Sequence, residues 1–159
     1  MEGDASRSAP DRAALREAMS ILRMAELREG LWGRPHNLPD SRSPDAAGVA
    51  RRWCRWWTGA RADPAPAADE LWDLDGWAVE AADLRSDMAG LSEALEAGDA
   101  SALAEGFLTS AAVLRHLQAD PLLPAALLPT EWPGEPLRAD YDRFDAAYRA
   151  VLRSWFATA

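Results

Sequence analysis

Arginine and tryptophan alternate in two stretches of the first third of the chain, and these residue types at this spacing could bind a ligand. In an extended strand every second side chain points to the same face. Two such faces are predicted, one carrying Arg28, Trp32 and Arg34 and the other carrying Arg51, Trp53, Arg55 and Trp57. Guanidinium groups bind carboxylate or phosphate through paired hydrogen bonds, and indole rings stack on planar groups. If the strands pair, the combined surface suits an acidic aromatic ligand.

A structural interpretation of the same pattern competes with this one, and the charge distribution favours it. The tryptophans are then core residues, covered by arginine stems whose guanidinium groups meet acidic side chains. Residues 1–62 carry 11 arginines against 8 acidic residues, whereas residues 63–159 carry 6 against 18, so the two parts attract each other. The net charge of −9 also disfavours direct binding to nucleic acid, because a phosphate backbone repels an acidic chain.

The ligand-binding candidates are the basic and aromatic residues of this pattern together with one arginine further along the chain: Arg34, His36, Arg55, Trp57 and Arg115. His36 is also a candidate general acid or base, because an unperturbed histidine titrates near neutral pH. His116 is the other histidine, but the pair lacks metal-ligand spacing, and buried or solvated structural roles are favoured for both. The catalytic residues stay unknown at this point.

Metal and cofactor chemistry finds little support in the remaining motifs, and we expect neither a metal nor a cofactor. Asp73 and Asp75 lack the further carboxylates of a calcium loop and are expected to cap a helix. The single cysteine, Cys54, excludes an intramolecular disulfide and is expected to be a small buried apolar residue. A soluble cytoplasmic protein without a membrane span is predicted, because the chain has no apolar run of about 20 residues.

These residues are positioned by a small sheet and a set of helices. A disordered tail is predicted over residues 1–10, a helix over 12–24, extended segments over 26–34 and 51–58, and a linker over 63–68. Three further helices follow, marked by apolar residues at three- and four-residue steps: residues 77–95, 103–114 and 137–155. The predicted class is α+β and mostly helical, with a small antiparallel sheet packed against a C-terminal three-helix domain.

Three blocks in these elements resemble one known family of transcriptional regulators, the PaaX-like repressors of phenylacetate degradation. The blocks are AELREGLWGRPHNLP at residues 25–39, LWDLDGW at residues 71–77 and DPLLPAALLPTEWPG at residues 120–134. The third is the most specific, since its four prolines, paired leucines and Trp-Pro-Gly stand at fixed offsets.

The resemblance implies an N-terminal winged helix-turn-helix, a central ferredoxin-like domain similar to the Cas2 fold and a C-terminal helical domain, with an aryl-acetyl coenzyme A thioester as the effector. On this basis residues 11–62 are expected to be a truncated ferredoxin-like part and residues 69–159 the C-terminal helical domain. The winged helix is expected to be missing. Of the polar residues that the family tends to carry before Asp120, only Arg115 matches.

Three functions remain open. The first is a stand-alone regulatory module that senses an acyl coenzyme A or aromatic acidic ligand and acts as a homodimer or with a companion regulator chain. A second is a small-molecule enzyme of specialised metabolism that uses an Arg/Trp-lined pocket, although the sequence favours a protein that is not an enzyme. The last is a truncated remnant that folds and binds little.

Overall fold

The computed structural model describes residues 8–39, 42–59 and 66–158. The chain divides into two compact units: unit 1 comprises Met1–Trp72 and Pro121–Leu128, and unit 2 comprises Asp73–Asp120 and Pro129–Ala159. The predicted class is confirmed, because the fold is α+β, mostly helical and contains a small antiparallel sheet. Most of the predicted tail and part of the predicted linker lie outside the described residues.

Unit 1 begins with helix α1 and a β-hairpin. Helix α1 spans Ala9–Ile21, and the Oγ atom of Ser8 caps it by accepting a hydrogen bond from the Asp11 N–H at 3.2 Å. Strands β1 (Ala25–Arg28) and β2 (Leu31–Gly33) pair antiparallel around a two-residue turn. Gly30 occupies that turn with φ +76°, a conformation that glycine adopts without a steric penalty.

The hairpin corrects the prediction of one extended strand over residues 26–34. The chain reverses at Gly30, so Arg28 and Trp32 lie on opposite strands, and Arg34 follows the end of β2. Period-two alternation alone cannot distinguish a long strand from two short ones. The glycine at the centre of the pattern was the local signal of the turn.

The second predicted strand, over residues 51–58, is wrong. Helix α2 spans Pro44–Trp53, and residues 54–59 have no regular secondary structure. Pro44 starts the helix, and α2 buries three alanines with helical spacing: Ala46, Ala47 and Ala50. Arg51, Trp53, Arg55 and Trp57 therefore share no strand face, and the predicted Arg/Trp sheet surface does not form.

The core of unit 1 is small and involves both α1 and α2. Leu15 and Met19 of α1 pack with Ala50 of α2, and half-buried side chains surround them: Leu22, Met24, Trp32, Trp53 and Cys54. Cys54 is thus a partly buried residue beside the core. Helix α3 spans Pro66–Leu71 and contacts β1, and a 3-10 turn lies further along the chain at Ala125–Leu127.

Unit 2 contains the three helices that the sequence predicts. They are α4 (Leu74–Glu96), α5 (Leu103–Ala119) and α6 (Gly134–Thr158), with a 3-10 turn at Ala100–Ala102 before α5. The expected cap is confirmed, because Asp73 Oδ1 accepts a hydrogen bond from the Gly76 N–H at 2.9 Å. None of the described helices is long and apolar enough to cross a membrane.

The apolar residues that predict helix α5 are not the ones that it buries. Its buried side contains Gly106, Val113 and His116, whereas Phe107 and Leu114 are exposed. Gly106 belongs to this packing face because α5 approaches α6 closely there, and an added Cβ would lie 2.9 Å from the Tyr148 ring. A hydrophobicity pattern cannot identify such a face.

Candidate functional site

A groove of about 380 Å³ lies between helices α4 and α6 of unit 2. The two helices run in the same direction. Trp77 at the beginning of α4 stacks on Trp132 just before α6, and Arg85 further along α4 bonds Asp140 further along α6, so both pairs are 55 residues apart in sequence. Apolar side chains that belong to the core or pack against it line part of the groove: Met88, Leu95, Phe144 and Ala147. This apolar part suits a hydrophobic group of a ligand.

A charged cluster borders the same groove. Asp140 accepts hydrogen bonds from Arg85 Nε of the neighbouring helix and from Arg143 Nη2 of its own helix. Its side chain is only 21% exposed, whereas that of Arg143 is 73% exposed. One carboxylate shared by two guanidinium groups leaves a net positive charge and unused N–H donors, which is the chemistry that binds carboxylate or phosphate.

The groove has an acidic end as well as this basic one. Glu96 lines the groove at the C-terminal end of α4, eleven residues beyond Arg85. At 1.5 Å per residue the two positions are separated by about 16 Å along the helix. The end of the groove at Arg85 and Arg143 therefore favours an anionic group, and the part beside Phe144 favours an apolar one.

An aromatic stack at the beginning of α4 explains why His116 is buried. The Trp77 ring lies between the rings of His116 and Trp132, at centroid distances of 4.3 and 4.5 Å. Trp77 Nε1 donates to the His116 carbonyl oxygen at 3.2 Å, and His116 Nε2 lies 3.0 Å from the Trp77 carbonyl oxygen, which can only accept. His116 Nδ1 faces Glu80 Oε2 at 3.4 Å. Buried among these partners, His116 joins α4 to α5.

Arg34 of unit 1 holds three segments of the chain together through its guanidinium group. It donates hydrogen bonds to acceptors before, beside and far beyond it in sequence: Leu22 O, Pro35 O, Asn37 Oδ1 and Leu122 O. Burial, together with the nearby charges of Arg23 and Arg42, lowers the pKa of Arg34 to about 10. The group stays protonated at neutral pH, and four of its five N–H donors bind oxygen atoms of the protein itself.

The other predicted ligand-binding residues are exposed and lie on separate segments. His36 is in the loop after β2, and Arg55 and Trp57 follow helix α2. Arg115 belongs to unit 2, on the outer side of α5. Arg34 and His36 therefore belong to the loop after β2, Arg55 and Trp57 belong to the segment after α2, and the predicted sheet surface that would have joined these segments is absent from the described residues.

Sequence reasoning missed Arg85, Asp140 and Arg143. No local motif marks them, because Arg85 and Asp140 are 55 positions apart and meet only when α4 and α6 pack in register. The one local signal was the spacing of Asp140 and Arg143, three residues apart on one helix and able to form an ion pair.

Comparison with known proteins gives two matches. The family described as PaaX-like protein C-terminal domain matches residues 72–158, which include helices α4, α5 and α6. A solved structure, uncharacterized protein Rv0674 from Mycobacterium tuberculosis, is similar with a TM-score of 0.73 and 38% sequence identity. That similarity covers 97% of this chain and 60% of the mycobacterial chain, so this chain spans about 60% of its length. No curated protein matches the sequence.

Proposed function

This chain belongs to the PaaX-like family, and we propose that it is a regulatory module that senses an anionic effector in the groove between α4 and α6. The observation that carries the proposal is that the groove lies within the part of the chain that matches the family. The family match covers residues 72–158, and every residue that lines the groove falls within it. A regulator-type module needs a place where a small molecule changes packing, and this groove borders the core of unit 2.

The proposed effector combines an apolar group with an acidic one, as an acyl coenzyme A thioester or an aromatic acid does. Its anionic group binds Arg143, which is the more exposed partner of Asp140 and can turn towards a ligand. Its apolar group contacts Phe144 and Met88. Such a ligand competes with Asp140 for guanidinium N–H donors, and so it changes the ion pair that joins α4 to α6.

The module acts in the cytoplasm, as a homodimer or with a companion regulator chain. We propose that the partner polypeptide, rather than this one, contacts DNA. The net charge of −9 supports this division of labour, because an acidic chain is repelled by the phosphate backbone.

Titration calorimetry tests the effector site with three probes: phenylacetyl coenzyme A, free coenzyme A and phenylacetate. We expect Arg143→Gln and Arg85→Gln to raise the dissociation constant of a bound probe at least about tenfold, the equivalent of about 1.4 kcal/mol. Arg149→Gln is the matched control, because Arg149 is also an exposed arginine of α6 in an ion pair, with Asp145 at 2.8 Å, but does not line the groove. The control is expected to bind within about twofold of the parent protein.

Two further variants test the ligand-binding residues predicted from the sequence. Arg55→Gln and Trp57→Ala alter the exposed segment after α2 and leave the groove intact. If these variants lose binding while the groove variants retain it, the effector site lies in unit 1 and the groove proposal is wrong. Absence of binding by all three probes at millimolar concentration refutes the proposed effector class.

A further inference from the structure

The groove between α4 and α6 carries opposite charges at its two ends and is mostly apolar between them. Arg85 and Arg143 lie at one end, where they share the carboxylate of Asp140. Glu96 lines the other end. The lining residues between these positions are Met88, Ala89, Ser92, Leu95, Phe144 and Ala147. A ligand with a charge at each end and an apolar chain between the charges matches this order of groups.

The acidic end of the groove lacks a cation of the protein. Within the described ranges, the ion pairs of unit 2 involve Glu80, Asp120, Asp140 and Asp145, and the exposed carboxylate of Glu96 forms none. Glu96 is also the last residue of α4, where the helix dipole is negative, and the last turn contains no basic residue. The carboxylate and the helix dipole therefore both favour a cationic group at this end.

The spacing of the two ends sets the length of the ligand. Arg143 of α6 is level with Met88 of α4, because residues that are 55 positions apart in sequence meet across the two helices. Glu96 follows Met88 by eight residues, which is about 12 Å along a helix. An extended ω-amino acid of eight carbons separates its carboxylate from its ammonium by about 10 Å, whereas one of four carbons spans only about 5 Å. The longer molecule reaches both ends of the groove.

We propose that the groove selects a dipolar effector, an ω-amino carboxylic acid with an apolar chain of about eight carbons. Its carboxylate binds Arg143 and its ammonium binds Glu96. The methylene chain lies against Phe144 and Ala147. A diamine is rejected by repulsion at Arg143, and a monocarboxylate gains nothing at Glu96. This inference rests on the function proposed above and narrows its effector class by adding a cationic end.

NMR titration of the full chain at low ionic strength compares 8-aminooctanoate with octanoate, which differ only in the ammonium group. We expect the amino acid to bind about twofold to fivefold tighter, the increment of an exposed ion pair. This preference should shrink at about 1 M salt, because exposed charges are then screened. It should be absent when 4-aminobutyrate is compared with butyrate, since the short chain does not reach Glu96. The diamine 1,8-diaminooctane should bind more weakly than either eight-carbon acid.

Two variants near the end of α4 locate the cation-binding group. Glu96→Gln and Glu93→Gln each neutralise an exposed carboxylate, but only Glu96 lines the groove. Glu96→Gln should abolish the preference for 8-aminooctanoate over octanoate, and Glu93→Gln should retain it. Both substitutions are at exposed positions, and circular dichroism confirms that both variants fold.

The outcomes separate this inference from the effector site itself. An amino acid that binds no tighter than octanoate, a preference that survives Glu96→Gln, or a diamine that binds as tightly as the amino acid would each overturn the inference. In these cases, octanoate binding that is lost in Arg143→Gln still supports an anion site in the groove. If neither eight-carbon acid binds at millimolar concentration, the proposed effector site and the inference fail together.

Discussion

Replacing Gly106 with alanine tests whether α5 packs through the face that the structure assigns to it. An added Cβ would lie 2.9 Å from Tyr148 Cδ2, 3.2 Å from Cε2 of the same ring and 3.8 Å from Phe144 Cζ. The first two distances are shorter than ordinary carbon contacts, so Tyr148 or the helix must move. Gly90 of α4 supplies the control, because an added Cβ there meets nothing within 4 Å.

The free energy of unfolding should rise for Gly90→Ala, and it should stay level or fall for Gly106→Ala. Gly→Ala in a helix interior stabilises by about 1 kcal/mol, and this gain applies to both variants. Overpacking costs about 1–3 kcal/mol and applies only at Gly106. Gly106→Ala is therefore expected to be about 1–3 kcal/mol less stable than Gly90→Ala, and the melting temperature should differ by roughly 3–9 °C for a chain of this length.

Urea denaturation and thermal melts followed by circular dichroism measure this difference. Phe107→Ala should be measured beside them under the same conditions. Its side chain is exposed, so it is expected to cost well below the about 3–5 kcal/mol of a buried phenylalanine. If Gly106→Ala is as stabilising as Gly90→Ala and Phe107→Ala costs several kcal/mol, α5 is rotated relative to this structure and the reasoning fails.

Two ion-pair and hydrogen-bond predictions complete the set. Asp120 is buried and pairs with Arg138, so Arg138→Met should destabilise the protein by about 3–5 kcal/mol in urea titration, and Asp120→Asn in the same background should recover part of that loss. Arg34→Lys keeps the charge but not the planar fork that binds Leu22 O and Leu122 O, so a melt should show a loss of about 1–3 kcal/mol, and an unchanged melt would contradict the role given to Arg34.

The sequence was most informative where helices present a broad apolar stripe. Trp77, Leu84 and Met88 predicted α4, and these residues are buried as a stripe of this kind requires. Asp73 predicted the cap of the same helix, because its role depends only on neighbours within one turn. The apolar stripe and the cap both depend on residues of one helix, so a local sequence pattern is sufficient to predict them.

Elements whose packing depends on small residues were harder to predict. Helix α2 buries only alanines, and the neighbouring residues Trp53, Arg55 and Trp57 alternate as they would in a strand. Helix α5 packs partly through Gly106, and its large apolar residues Phe107, Leu108 and Leu114 are left on the surface. In both elements small residues contribute to the packing, and a hydrophobicity pattern does not record their contribution.

The groove is not predictable for a related reason. Arg85 and Asp140 become neighbours only through the packing of α4 against α6, and their sequence separation carries no signal. The ligand-binding candidates came instead from residue type and alternation and, for Arg115, from the family resemblance. Arg34 has the right chemistry but directs it to carbonyl and amide oxygens of the protein, and residue type alone cannot distinguish an internal acceptor from an external one.

The groove and helix α5 are linked through one point of contact. Phe144 lines the groove, and its Cζ atom would lie 3.8 Å from a Cβ at position 106 on the inner side of α5. Tyr148 stacks with Phe144 and covers the same glycine, so a movement of Phe144 at the groove acts directly on the packing of α5. By linkage, the proposed ligand and the packing of α5 must affect each other by the same factor, so Gly106→Ala should change ligand affinity if the ligand displaces Phe144. No path between distant sites is needed, because one aromatic pair borders both the groove and α5.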